Sequence, residues 1–414
     1  MTKKYIKPLI LLTLTGVILL ATSCKQAPVS QAPYQALIIT GQNNHTWQGS
    51  SPILKKILEN SDLFSVDIIQ SPEAKADMSG FKPVFSNYDV VVLDYNGDAW
   101  PAETKKAFEE YVSQGGGVVS YHAADNSFRE WKEYNKMTGL GGWGNRNETD
   151  GPFIHWKDGA FIRDSTTPGI GGYHGAQQAY QVTARDTVHP IMKGLPRIWR
   201  HAKDELYSQL RGPAENLTIL ATAWSDSTKG GSNRNEPVLM TVTYGKGRIF
   251  HTVLGHAMGD SAYPSMECVG FIFTLQRGAE WAATGQVTLP VPDDFPQFNT
   301  ESKWPQFRPL TLDEILANLK DYHPGDTRTN LQDLTNYIRK NYDGGEKYAH
   351  VESELLKFLE GTGSIDAKNY ICHELSIFGT DKALPALKKL QKKEETKEMA
   401  RMAIERITTQ YTNE

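Results

Sequence analysis

Hydrophobic and polar positions change their period several times along the 414-residue chain, and the changes outline its elements. Ala36-Leu-Ile-Ile-Thr40 is a short apolar run rich in β-branched side chains and closed by Gly41, which predicts a buried strand. Apolar residues then recur at helical spacing over 50–60 (SSPILKKILEN), with serines ahead and proline in the first turn. Phe64–Ile69 alternates as a second strand, and Asp89–Asp94 (DVVVLD) is apolar enough to be covered on both faces. An amphipathic helix over 101–113 (PAETKKAFEEYVS) ends at Gly115-Gly116-Gly117, before a strand over Val118–Tyr121. This alternation predicts an α/β fold, a parallel sheet with helices on both faces. In such sheets ligands sit in the crevice beyond the carboxyl ends of the strands.

Periodicity fades between 139 and 179, a stretch rich in Gly, Trp and Asn that is read as a functional or partly disordered loop. Pattern returns at Tyr180–Ala184, Leu217–Thr222, Val238–Thr243 and Arg248–Val253, the last two pairing through the Tyr244-Gly-Lys-Gly247 turn. Cys268–Trp281 reads as a closing helix. The α/β domain is therefore expected over 35–295, a proline-marked linker over 296–310, and an all-α module over 311–414. Within that module Gly379–Ile407 has a HEAT-like pattern, with Ala383, Leu384 and Leu387 on one helix and Met399, Met402, Ala403 and Ile407 on the other. So few repeats barely bury a core, so the module is expected to pack on the main domain and to offer a face to a protein partner.

The N-terminus reads as an address. Lys3, Lys4 and Lys7 precede an apolar run from Leu9 to Ala21, shorter than the roughly 20 residues that span a bilayer. The run ends in LLATSC, which resembles a bacterial lipobox with Cys24 as the lipidated residue. Residues 1–24 are thus expected to be a lipoprotein signal peptide and 25–34 a tether. An exported protein anchored in the cell envelope, on the periplasmic face, is implied.

Composition narrows the rest. Net charge is −4, from 44 basic and 48 acidic residues, which leaves no electrostatic footprint for nucleic acid. Three cysteines make neither a disulfide framework nor a Cys-rich zinc site, and nothing calls for a nucleotide cofactor.

Chemistry concentrates in loops after predicted strands. The first carries Asn43, Asn44 and His45; the turn after Val118–Tyr121 opens with His122 and reaches Asp125; and His256 follows the strand Arg248–Val253. The turn at His122 is where related sheets hold a serine or cysteine nucleophile, and it offers neither. Three imidazoles converging there suit a divalent metal, zinc or similar, with an open position. Asp204 and Glu205 are adjacent, so on regular backbone only one can face the same point. One would orient a histidine while the other caps a helix or binds an arginine.

Several of these landmarks, GQNNHTW, GGGVVSYHAA, HPIMKGLP with DELY, EPVLMTVTYGKGRIFHTVLGH and RGAEWAATG, together resemble the ThuA-like (trehalose utilisation) family over about 35–295. The resemblance implies a flavodoxin-like, glutamine amidotransferase-like fold without the amidotransferase cysteine. It also implies a sugar or 3-keto-glycoside substrate, processed by elimination, hydrolysis or isomerisation. In that setting His122, Asp204 and Glu205 are the candidate catalytic residues, and His45, His122 and His256 the candidate metal ligands. Asn44, Asp125, Trp131, Tyr134 and Arg248 are candidate sugar contacts, with Trp47 and Trp143 as further stacking faces. The competing reading is a non-catalytic carbohydrate-binding or scaffold lipoprotein.

Overall fold

The computed structural model describes residues 32–412 apart from 260, 261, 327 and 344. Cys24, with the expected leader and most of the tether, lies outside the described residues. Strand β1 (Tyr34–Thr40) is followed by α1 (Trp47–Glu59), β2 (Phe64–Gln70), β3 (Val90–Leu93), α2 (Ala102–Ser113) and β4 (Gly117–Tyr121). Next come α3 (Lys132–Thr138), a hairpin of β5 (Phe153–Lys157) and β6 (Ala160–Asp164), and the short β7 (Tyr173–His174). Then follow β8 (Gln178–Ala184), β9 (Ile198–Asp204), β10 (Tyr207–Ser208), β11 (Leu217–Ser225), β12 (Arg234–Tyr244) and β13 (Gly247–Thr252). Helices α4 (Pro264–Glu267) and α5 (Val269–Thr284) close the α/β part.

Apolar runs with little alternation place β1, β3 and β4 inside, because each must meet helices on both faces. Ala36 and Ile38 of β1 enter one core with α1 and α5, while Leu37 and Ile39 enter a second core with α2 and α3. The sheet order is β2-β1-β3-β4-β13-β12-β11-β8-β9. Neighbours from β2 to β13 are parallel. The expected parallel sheet is thus one half of a mixed sheet. Only Gly245 and Lys246 separate β12 from β13, too short a link for a crossover, so this pair is antiparallel and the remaining strands follow suit.

The stretch 139–179 is more regular than its sequence suggested. Asp158 and Gly159, at φ +50° and +86°, make the tight hairpin turn between β5 and β6. An Asp-Gly pair between two apolar-rich runs is the local mark of such a turn.

The linker is not free chain. Val269 N–H donates to Ser302 O at 2.9 Å and Trp304 N–H to Glu267 O at 2.8 Å, while Phe295 and Phe307 join the main core. Helices α6 (Leu312–Leu319), α7 (Thr329–Asn341), α8 (Glu346–Glu360), α9 (Ile365–Phe378), α10 (Leu384–Leu390) and α11 (Lys397–Thr412) share a separate core. Helix α7 rests on α1, the helix that follows the His45 loop.

Candidate functional site

Strands β1, β4 and β13 run in the same direction, so their carboxyl ends open on one edge of the sheet. The loops beyond them deliver His45, His122 and His256, and the end of β9 delivers Asp204 and Glu205. One nitrogen from each of these three histidines and one oxygen of Glu205 lie within 4.8 Å of one another. The side chains of His45, His122, Glu205 and His256 are all at most 8% exposed. His122 occupies the strand-to-helix turn with φ +45°, a left-handed conformation that a non-glycine residue adopts at a cost.

The second ring nitrogen fixes the direction of each imidazole. A carbonyl only accepts, so His122 Nδ1–H donates to Val253 O at 2.6 Å and leaves Nε2 facing inward. That nitrogen is 3.0 Å from Tyr207 Oη and 3.8 Å from Glu205 Oε2. His45 Nδ1 is 3.3 Å from Asn43 Oδ1, and its Nε2 is 3.8 Å from Glu205 Oε2. The Asn43 amide is itself held, since its Nδ2 donates to Asp94 Oδ1 at 3.1 Å. Asp94 is buried and accepts hydroxyls from Ser50 and Ser51 at 2.6 and 2.7 Å. His256 Nδ1 lies 3.0 Å from Glu205 Oε2 but out of line for a hydrogen bond, so it is a buried nitrogen without a hydrogen-bond partner.

Charge follows this geometry. Burial, reinforced by His45, pushes the His122 imidazole down to about 3, so it is neutral and carries a lone pair. Burial raises the Glu205 carboxyl, but contacts from His256 and His45 outweigh it and hold the group well below the usual range. Burial keeps Tyr207 a phenol, and its hydroxyl remains available as a donor. Three imidazoles around a carboxylate, with His122 tied through Nδ1 to Val253 O and His45 through Nδ1 to Asn43 Oδ1, have the chemistry of a metal-ligand set. The orphaned Nδ1 of His256 fits the same reading.

Asp204, expected among the catalytic groups, stands behind the cluster. It is buried, accepts the backbone N–H groups of Glu205, Gly255 and His256 at 2.8–2.9 Å, and pairs with His201 Nε2 at 2.7 Å. It therefore positions Glu205 and His256 and does not face the crevice.

The expected sugar contacts divide sharply. Asn44 is exposed and lines a cleft beside the site, bonded to Asn96 at 2.7 Å. Asp125 is fully buried against His251 Nε2 at 3.2 Å. Trp131 and Tyr134 stack on each other in the α2/α3 core, with Trp131 Nε1 on Glu109 and Tyr134 Oη on Ala124 O. Arg248 begins β13, so it lies at the opposite edge of the sheet, where it donates to the last carbonyls of α5 (Trp281, Ala282 and Ala283). None of these last four reaches the crevice. Trp143 does sit beside it, against Tyr207 with ring centres 4.7 Å apart.

Other residues of the site escaped the sequence reading. His174 Nδ1–H donates to Gly175 O at 2.9 Å, leaving Nε2 at 3.6 Å from Glu205 Oε1. Its side chain is 39% exposed, so it is the open side of the cluster. Gln177 bridges His256 and Glu205, at 2.9 and 3.3 Å. Tyr207 and His174 are paired residues of a two-stranded ribbon, β7 with β10, a contact between positions far apart in sequence.

Fold and site define an α/β protein whose mixed sheet carries a cluster of histidines and one carboxylate at its carboxyl edge. Residues 35–282 match the model of the family described as ThuA, trehalose utilisation, and the chain belongs to that family, with its flavodoxin-like, glutamine amidotransferase-like fold. A ThuA-like protein from Parabacteroides merdae is 56% identical with a TM-score of 0.65, covering 67% of this chain and 99% of its own. A ThuA-like protein from Bacteroides uniformis is 18% identical with a TM-score of 0.41, covering 64% and 96%. No functionally curated protein matches. The helical region beyond residue 310 lies outside the residues that the family model matches.

Proposed function

We propose that this protein is an envelope-anchored enzyme that processes 3-keto-glycosides or related keto-sugars with the help of a divalent metal. The observation that carries the reading is the buried group of His45, His122, His256 and Glu205, whose donor atoms lie within 4.8 Å of one another. These four residues would hold the ion, zinc or similar. When bound, the ion would supply a positive centre for the oxygen of a sugar enolate.

The remaining steps belong to the chain's own side chains. A ketone at C3 acidifies the C2 hydrogen. His174, the exposed imidazole, accepts that proton at Nε2, and the C–H electron pair passes into the enolate. The pair then forms the C1–C2 double bond as the C1–O bond breaks, and the departing oxygen takes a proton from Tyr207 or water. Glu205 orients the imidazoles, and Trp143 offers an apolar face beside the reacting ring. Water addition to the product would give net hydrolysis, and return of the proton to another face an isomerisation. Anchoring through Cys24 rests on the leader pattern alone.

The test is incubation of the wild type and His122→Ala with 3-keto-trehalose and 3-keto-glucosides, with and without chelator. Turnover that both chelation and the substitution remove supports the reading. Absence of turnover with sugar binding retained would replace it with a carbohydrate-binding protein.

A further inference from the structure

A second feature lies beside the cluster, with one wall inside the residues the family model matches and the other beyond them. An open cleft of about 820 Å³ lies between the carboxyl ends of β1, β2 and β3 and the helical region. One wall is the peptide that carries His45: Asn43, which bonds the His45 ring, and Asn44 both line it. The facing wall is supplied by Arg339, Tyr342, Ile377 and Phe378, from the end of α7, the residue after it and the end of α9. Volumes of about 300–1,000 Å³ are those of small-ligand pockets.

Its chemistry is specific enough to name a ligand class. Tyr342 and Ile377 remain 49% and 41% exposed, apolar faces that line the open cleft. Phe378 meets Tyr342 edge to face at a ring-centre distance of 5.0 Å, which steadies the tyrosine. Opposite them stand amides, including Asn44, Gln48 and Gln70, with Trp47 at the start of α1. The charged lining groups are Arg339 against Glu73 and Asp98, so the cleft offers no excess positive charge for a phosphate or carboxylate. Aromatic faces against amide donors and acceptors, with one cation against two carboxylates, match an uncharged polyhydroxylated ring.

We propose that this cleft holds the non-reacting ring of a two-ring or longer glycoside, and that the helical region completes the substrate site. The proposal rests on the keto-glycoside reading for its reacting ring but names a separate contact surface. Binding energy from a remote ring is what orients the reacting one.

Calorimetric titration of the full chain with trehalose, with methyl α-glucoside as the one-ring comparison, tests it. The wild type should bind trehalose more tightly than the one-ring compound, with or without chelator. Tyr342→Ala and Arg339→Ala should each weaken trehalose binding by about three- to tenfold, and Tyr342→Phe should restore it. Arg339 is exposed, so its substitution carries the test if the tyrosine variant loses its fold. No trehalose binding by the wild type, or wild-type affinity in Arg339→Ala with its melting temperature unchanged, would overturn the proposal. Failure of the metal reading would leave this binding intact, which separates the two.

Discussion

The Nδ1–H of His122 donates to the carbonyl of Val253 at 2.6 Å, and this bond decides which nitrogen the site receives. Val253 follows β13, the neighbour of β4, and His122 is the residue that follows β4. Two adjacent parallel strands therefore hold one imidazole in one tautomer, with Nε2 turned toward Glu205 and Tyr207.

Holding it there costs backbone strain. His122→Ala keeps the left-handed backbone at φ +45°, whereas His122→Gly relieves it. The glycine variant should be the more stable of the two by about 0.5–1 kcal/mol, the relief less the extra entropy glycine loses on folding. Urea unfolding measures this, and an alanine variant of equal or greater stability would show that the turn is unstrained.

Metal binding should appear as stability. With zinc at about 100 times its dissociation constant, the chelator-treated protein should gain about 2.7 kcal/mol, or about 3–5 °C in melting temperature. Glu205→Ala and His45→Ala should lose most of the shift. The same shift in all three proteins would place the ion elsewhere.

Arg248 is expected to matter for stability and not for chemistry. It satisfies the terminal carbonyls of α5, so Arg248→Ala should lower unfolding free energy by about 1–3 kcal/mol. Turnover per folded molecule should stay at the wild-type value. A selective rise in KM would return Arg248 to the substrate site.

Glu236, buried on β12, makes stability depend on pH. Burial raises its carboxyl from 4.5 to about 7, although a hydrogen bond from Ser232 pulls the other way. The folded state thus holds a proton that the unfolded state releases near 4.5. The stability tied to this group is fully present below that pH and is lost as pH rises through about 7. Glu236→Gln removes the ionisation, so the variant should gain up to about 3 kcal/mol over wild type above pH 7 and nothing near pH 4. Chemical denaturation at the two pH values reads the difference, and parallel pH profiles would contradict it.

Much of the scaffold was legible because short-range pattern controls it. β-Branched apolar runs located β1, β3 and β4, and their order, with the later strand Arg248–Val253, located the loops of His45, His122 and His256. The choice between Asp204 and Glu205 was not legible, because it depends on three backbone amides supplied mainly by the loop after β13. Asp125 and Tyr134 follow a strand end, as site residues do, but the chain turns them beneath the sheet edge into a core. Arg248 carried a usable sign of its role. It starts its strand, and the start of a parallel strand faces away from the crevice.

The sequence by itself determined the strand-and-helix order from β1 to β4, the separate helical region, the family resemblance and the loops that hold three of the four clustered side chains. These depend on local periodicity and on the rule that parallel strands expose their loops on one edge. Tertiary structure alone decided that Glu205 joins the histidines, that Asp204 supports them from behind, and that His174 and Tyr207 complete the rim. It also brought Arg339 and Tyr342 across from Asn44. Each of these is a contact between residues distant in the chain, set by packing and by the pairing of buried polar groups, and no local pattern encodes it.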